Sequence, residues 1–64
     1  MDVSKGLALL EEAYQKDPKN PTVLHRYGMA RSSNGETDEA RQLLDRALRY
    51  DPDNPRILKD RSEL

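Results

Sequence analysis

The chain has 64 residues, of which 36% are charged and 34% are hydrophobic, and its formal net charge is −1. So short a chain forms one domain with a thin core. Its balanced charge argues against a partner that is a nucleic acid or an acidic membrane, because proteins that bind these carry an excess of Lys and Arg. The sequence has no Cys and one His, which excludes disulfides and thiol chemistry and argues against a metal site. We therefore expect no metal and no cofactor.

Membrane insertion and secretion are also not indicated by the sequence. The longest apolar run covers residues 7–10, far short of the length that crosses a bilayer. No secretory signal pattern is visible. We therefore expect a cytoplasmic protein.

The first predicted helix covers residues 3–16. Its apolar residues follow three- and four-residue steps that place them on one helix face: Val3, Leu7, Leu10, Ala13 and Tyr14. Asp2 or Ser4 can cap its start. The helix must end near Asp17, because a residue that precedes proline is disfavoured in the helical region.

The second predicted helix begins at Pro21, with Asn20 as its N-cap, because proline suits the first helical position. Its apolar or small face consists of Leu24, Tyr27, Gly28 and Ala30. Residues 32–35 end it, since Gly35 can adopt the left-handed conformation that closes a helix.

The third predicted helix begins at Thr37 or Asp38, and Pro52 stops it. Its buried stripe consists of Ala40, Leu43, Leu44, Ala47 and Leu48. The fourth helix begins at Pro55 behind Asn54 and carries the apolar residues Ile57, Leu58 and Leu64. No segment has the alternating pattern of a strand, so an all-α fold is predicted.

One segment of the chain is copied. Residues 17–21 (Asp-Pro-Lys-Asn-Pro) recur as residues 51–55 (Asp-Pro-Asp-Asn-Pro), 34 residues later, and eight of 25 pairs aligned at this offset are identical. Such a period is typical of repeats that stack into a solenoid. Within a single domain covering residues 1–64, we predict the second helix of a partial repeat (2–17), a complete repeat (21–54) and the first helix of a following repeat, or a capping helix (55–64).

The pattern resembles the tetratricopeptide repeat, a pair of antiparallel helices. The family's small residue in the first helix falls on Gly28, its turn glycine on Gly35 and its terminal proline on Pro52. The resemblance implies a short right-handed α-solenoid whose packing signature is Leu10, Ala13, Leu24, Tyr27, Gly28, Ala40, Leu44, Ala47 and Leu48. Two positions depart from the family pattern: Arg31 stands where an aromatic residue is frequent, and Arg61 where a large apolar residue is usual.

The resemblance also implies a non-enzymatic module that binds a protein or peptide on its concave surface. The corresponding groove residues are Thr22, His25, Arg26, Met29, Ser33, Arg56 and Lys59. Met29 offers an adaptable apolar contact, and the basic residues would attract an acidic segment. An ordinary solvated helix face fits the same residues. The carboxylate clamp of one subfamily is rejected, because His25 and Met29 replace its Lys and Asn, and Asp60 replaces its second Asn.

Self-association or capping of a larger array is the alternative function. Repeat arrays usually need about three units for stability, and the helix that would precede the first one is absent. A symmetric homo-oligomer through exposed repeat ends would cover Leu7, Leu9, Leu10 and Tyr14. The chain is otherwise an excised or terminal piece of a longer array. No constellation of residues supports an enzyme.

Overall fold

A computed structural model describes residues 3–64, with side chains from residue 6 onward, and this part of the chain contains four helices and no strand. They are α1 (Val3–Lys16), α2 (Pro21–Ser33), α3 (Thr37–Tyr50) and α4 (Pro55–Glu63). The all-α prediction is confirmed, and the helices begin and end where the sequence placed them. Asp2, the side chain of Ser4 and the side chain of Val3 lie outside the described residues.

The first copy of the repeated segment forms a compact joint between α1 and α2. The side-chain oxygen of Asn20 accepts hydrogen bonds from the backbone N–H groups of Thr22 (2.9 Å) and Val23 (3.3 Å). Its amide donates to the Asp17 carboxylate at 3.1 Å. The first N–H groups of a helix have no acceptor within the helix, so the side chain of Asn20 supplies the missing hydrogen-bond acceptor.

The second copy forms the same joint between α3 and α4. Asn54 accepts from the N–H groups of Arg56 (3.0 Å) and Ile57 (3.3 Å), and it donates to Asp51 at 2.9 Å. The copied residues therefore make copied hydrogen bonds. Each joint sets the start of its helix by contacts within a few residues of sequence.

Gly35 closes the turn between α2 and α3 in the left-handed conformation, with φ of 82°. We expect Gly35→Ala to lower the free energy of unfolding by about 1–2 kcal/mol, because a Cβ is strained at this φ. Urea unfolding followed by circular dichroism measures the change. Gly6→Ala is the control: Gly6 lies in α1 with nothing within 4 Å of an added Cβ, so alanine there should stabilise the helix. A Gly35→Ala variant as stable as the parent protein would contradict the expectation.

The core is built where α2 packs against α1 and α3, and α3 packs against α4. The most deeply buried apolar side chains belong to α2, α3 and α4: Leu24, Tyr27, Ala40, Leu43, Leu44, Ala47 and Ile57. Gly28 is also buried, whereas Leu10, Ala13 and Leu48 of the expected packing signature are half-buried. The residues that pack most tightly thus cluster around α2 and α3.

Gly28 lies in close contact with α3. A Cβ at this position would be 3.3 Å from the Ala40 carbonyl oxygen, from Leu43 Cβ and from Leu44 Cδ2. The absence of a side chain at Gly28 therefore lets the two helix backbones approach each other.

The outer helices each leave one face open. Leu43 is 8% exposed, but Leu9, its counterpart in the repeat, is 64% exposed. Leu24 is fully buried, but its counterpart Leu58 is 47% exposed. The difference arises because Leu24 and Leu43 meet each other's helix, whereas Leu9 and Leu58 point away from their neighbours. We call Gly6, Leu9, Glu12 and Ala13 the α1 end face, and Leu58, Arg61 and Ser62 the α4 end face.

Candidate protein-interaction surface

Most of the predicted groove residues lie on the faces of α2 and α4 away from the core. On α2, Thr22, Arg26 and Ser33 are exposed, while His25 and Met29 are half-buried. The three- and four-residue spacing puts them opposite the buried residues of the same helix. On α4, Arg56 and Lys59 are exposed. We call these seven residues, together with Asp60, the α2/α4 surface.

His25 and Asp60 connect the two helices of this surface. His25 Nε2 lies 2.5 Å from the Asp60 carboxylate, and the two side chains are 20% and 26% exposed. The pair bridges the complete repeat and the helix that follows it, so it holds α4 beside α2. His25 is therefore engaged inside the protein and is less available to a partner than the sequence pattern implied.

Met29 also differs from the expectation of an open apolar contact. Its side chain is half-buried and packs against the core cluster. Because part of its surface is used internally, only the remainder can contact a partner. Thr22, Arg26, Ser33, Arg56 and Lys59 supply most of the accessible area.

Arg31 stands at the position where the family often has an aromatic residue, and its side chain packs against the ring of Tyr27. Its guanidinium lies 5.0 Å from the centroid of the Tyr27 ring. It donates to the Glu36 carboxylate at 2.7 Å and to the Tyr27 hydroxyl at 2.6 Å. These hydrogen bonds raise the pKa of Arg31 above its ordinary value, so the side chain stays charged. The contact with Tyr27 is a cation–π interaction that replaces ring packing.

A second arginine makes a similar contact one helix away. Arg46 lies 5.1 Å from the centroid of the Tyr14 ring and donates to its hydroxyl. The rings of Tyr14 and Tyr27 are 5.3 Å apart, so the four side chains form one cluster across α1, α2 and α3. The sequence pattern did not predict the contact between Arg46 and Tyr14, because it spans 32 residues of sequence.

A cavity of about 190 Å³ lies beside this cluster. It is lined by α2 and α3 through Tyr27, Arg31, Glu39, Gln42, Leu43 and Arg46. None of the predicted groove residues lines it. The cavity is therefore separate from the α2/α4 surface.

The residues predicted for self-association occupy different environments. Leu7, Leu10 and Tyr14 are half-buried and pack against the core cluster, whereas Leu9 is mostly exposed. A partner that docks on α1 would thus meet Leu9 and its neighbours on the α1 end face. The area open to a symmetric contact is smaller than four apolar side chains would give.

Taken together, short helices in stacked hairpins with glycine and alanine at the crossing define a helical-hairpin repeat. Among residues 3–64, no helix has the length and apolar character needed to cross a membrane. A family model described as tetratricopeptide repeat matches residues 2–61, and the chain belongs to that family. Its members generally mediate protein–protein interactions and are typically non-enzymatic scaffolds. Searches of curated proteins and of solved structures found no significant match.

Proposed function

We propose that the chain binds an acidic, extended protein segment on the α2/α4 surface. The observation that carries the proposal is a segregation of charge among the helices. The helices α2 and α4 contain five Arg and Lys residues (Arg26, Arg31, Arg56, Lys59 and Arg61) against two acidic residues (Asp60 and Glu63). Arg31 pairs with Glu36 and Arg61 with Asp45, so Arg26, Arg56 and Lys59 are the cations that the α2/α4 surface offers to a partner. In α1 and α3 the two signs are equal in number.

The geometry of the cations supports an acidic partner. Arg26, Arg56 and Lys59 are exposed on two adjacent helices, and one of the two carboxylates, that of Asp60, is already engaged by His25 within the protein. An extended segment can cross both helices and meet cations along its length. Exposed charges of this kind chiefly accelerate association and favour a partner of opposite charge.

We expect a triple variant, Arg26→Ala with Arg56→Ala and Lys59→Ala, to bind an acidic peptide roughly threefold to a hundredfold more weakly. Exposed ion pairs contribute about 0.2–1 kcal/mol each, and about 1.4 kcal/mol corresponds to tenfold in affinity. Fluorescence anisotropy with labelled peptides of equal length measures the change. One peptide is rich in Asp and Glu, one in Lys and one in Ser, and all three carry the same central Leu.

The matched control removes three positive charges elsewhere. Lys16, Lys19 and Arg49 are exposed and lie outside the α2/α4 surface, so their triple alanine variant has the same net charge as the first. It should bind the acidic peptide nearly as well as the parent protein. Equal losses in both triple variants would show general charge attraction and would refute the proposed site, as would equal binding of all three peptides.

A further inference from the structure

We propose that copies of this chain associate head to tail, with the α4 end face of one copy packed on the α1 end face of the next. The contact would repeat between molecules the packing that joins α2 to α3 within each molecule. The proposal concerns the ends of the solenoid and does not depend on peptide binding at the α2/α4 surface.

The internal repeat supplies the template for this contact. At the offset of 34 residues, α1 corresponds to α3, and α4 corresponds to α2. Leu9 is the counterpart of Leu43, Ala13 of Ala47, and Leu58 of Leu24. In the complete repeat Leu24, Leu43 and Ala47 are all buried. The open faces therefore carry the two halves of a contact that the protein already makes once.

The steric fit is preserved at the close contact between helices. Inside the protein, Gly28 of α2 lies against Ala40 of α3. Their counterparts at the ends are Ser62 of α4 and Gly6 of α1. At the ends the glycine is therefore on α1 and the small side chain is on α4. A Cβ added at Gly6 would have no atom within 4 Å, so there is room beside it. Ser62 of one copy therefore fits against Gly6 of the next, because the pair still contains only one small side chain.

The two end faces carry charges of opposite sign. Tyr27 and Arg46 face the same cavity between α2 and α3. Their counterparts at the ends are Arg61 and Glu12, so a neutral and basic pair becomes an oppositely charged pair across the proposed contact. Arg61 uses its Nε atom to bond Asp45 at 2.7 Å, and Glu12 is exposed. Arg61 would thus have two acidic partners, Asp45 in its own copy and Glu12 of the next copy.

These features favour a head-to-tail contact over a symmetric one. Pairing two α1 end faces would bring Glu12 near a second Glu12, and pairing two α4 end faces would do the same for Arg61. Like charges placed together oppose association. A head-to-tail contact leaves one free end face on each terminal copy, so the assembly grows with concentration instead of closing as a dimer.

The test is complementation between two variants, each of which places a charge on one end face. In Leu9→Glu the α1 end face is blocked, and in Leu58→Glu the α4 end face is blocked. Sedimentation equilibrium from micromolar to millimolar protein should show growing mass for the parent and a monomer for each variant alone. An equal mixture should form a 1:1 dimer, because each variant keeps the end face that the other has lost.

Tyr50→Glu is the matched control. Tyr50 is 47% exposed, as Leu58 is, but it lies at the end of α3 outside both end faces, so this variant should associate like the parent. Circular dichroism shows that each variant remains helical. Glu12→Arg should weaken association roughly a hundredfold by placing it against Arg61 of the next copy.

Three results would overturn the proposal. Association that survives Leu58→Glu and is lost in Leu9→Glu would indicate a symmetric α1 contact. A mixture that stays monomeric would show that the two end faces do not pair with each other. A parent protein that is monomeric throughout the range would show that the end faces do not associate.

Discussion

Replacing Leu44 by alanine is expected to remove a large part of the protein's stability. Leu44 is fully buried between α2 and α3, and Leu→Ala changes at such sites cost about 2–5 kcal/mol. A chain of this length has a total free energy of unfolding of about 3–10 kcal/mol. The loss is therefore comparable with the whole stability. Urea unfolding at 25 °C, followed by the helical signal in circular dichroism, measures it.

Leu9→Ala is the matched control for this prediction, since it makes the same chemical change at a leucine that is 64% exposed. It should alter the free energy of unfolding by less than about 0.5 kcal/mol when measured at low protein concentration. If the two variants lost equal stability, Leu44 would not be the centre of the core.

Gly28→Val is expected to be the second most damaging change. The Cβ alone would reach the Ala40 carbonyl oxygen and the Leu43 and Leu44 side chains at 3.3 Å, and the two methyl groups of valine need more room. Overpacking of a core typically costs about 1–3 kcal/mol, and more where the neighbour is backbone that cannot rotate away. The variant should melt at a lower temperature and separate α2 from α3.

Gly28→Ala distinguishes crowding from helix propensity. Alanine gains about 1 kcal/mol over glycine inside a helix, and this gain opposes the tight contacts of one Cβ, so we expect little net change. Stability that falls from alanine to valine indicates crowding at the helix crossing. A valine variant as stable as the alanine variant would show that α3 can shift without cost.

The helix limits were predictable because their causes are local. Asn20 and Pro21 fix the start of α2 through bonds that span two or three residues, and Gly35 ends the turn by its own backbone conformation. The buried stripe of α3 was also predictable, since helical spacing alone places Leu44 and Ala47 on one face.

The environments that sequence reasoning missed depend on neighbours far along the chain. Leu24 and Leu58 are the same residue at equivalent positions, yet one is buried and the other is 47% exposed. Only the presence or absence of a packed helix distinguishes them. The His25–Asp60 contact spans 35 residues, so neither residue alone indicates that the pair forms. Of the seven groove residues, His25 and Met29 therefore differ most from the simple expectation.

The two matching joints at residues 17–21 and 51–55 have an evolutionary consequence. Each satisfies its own hydrogen bonds through Asp17 and Asn20, or through Asp51 and Asn54, and requires nothing from the rest of the molecule. A gene duplication that inserts another 34 codons between equivalent points would regenerate a complete joint at the new boundary. Lengthening by whole units thus avoids a half-formed intermediate, so such a chain can evolve by recombination without first losing its ability to fold.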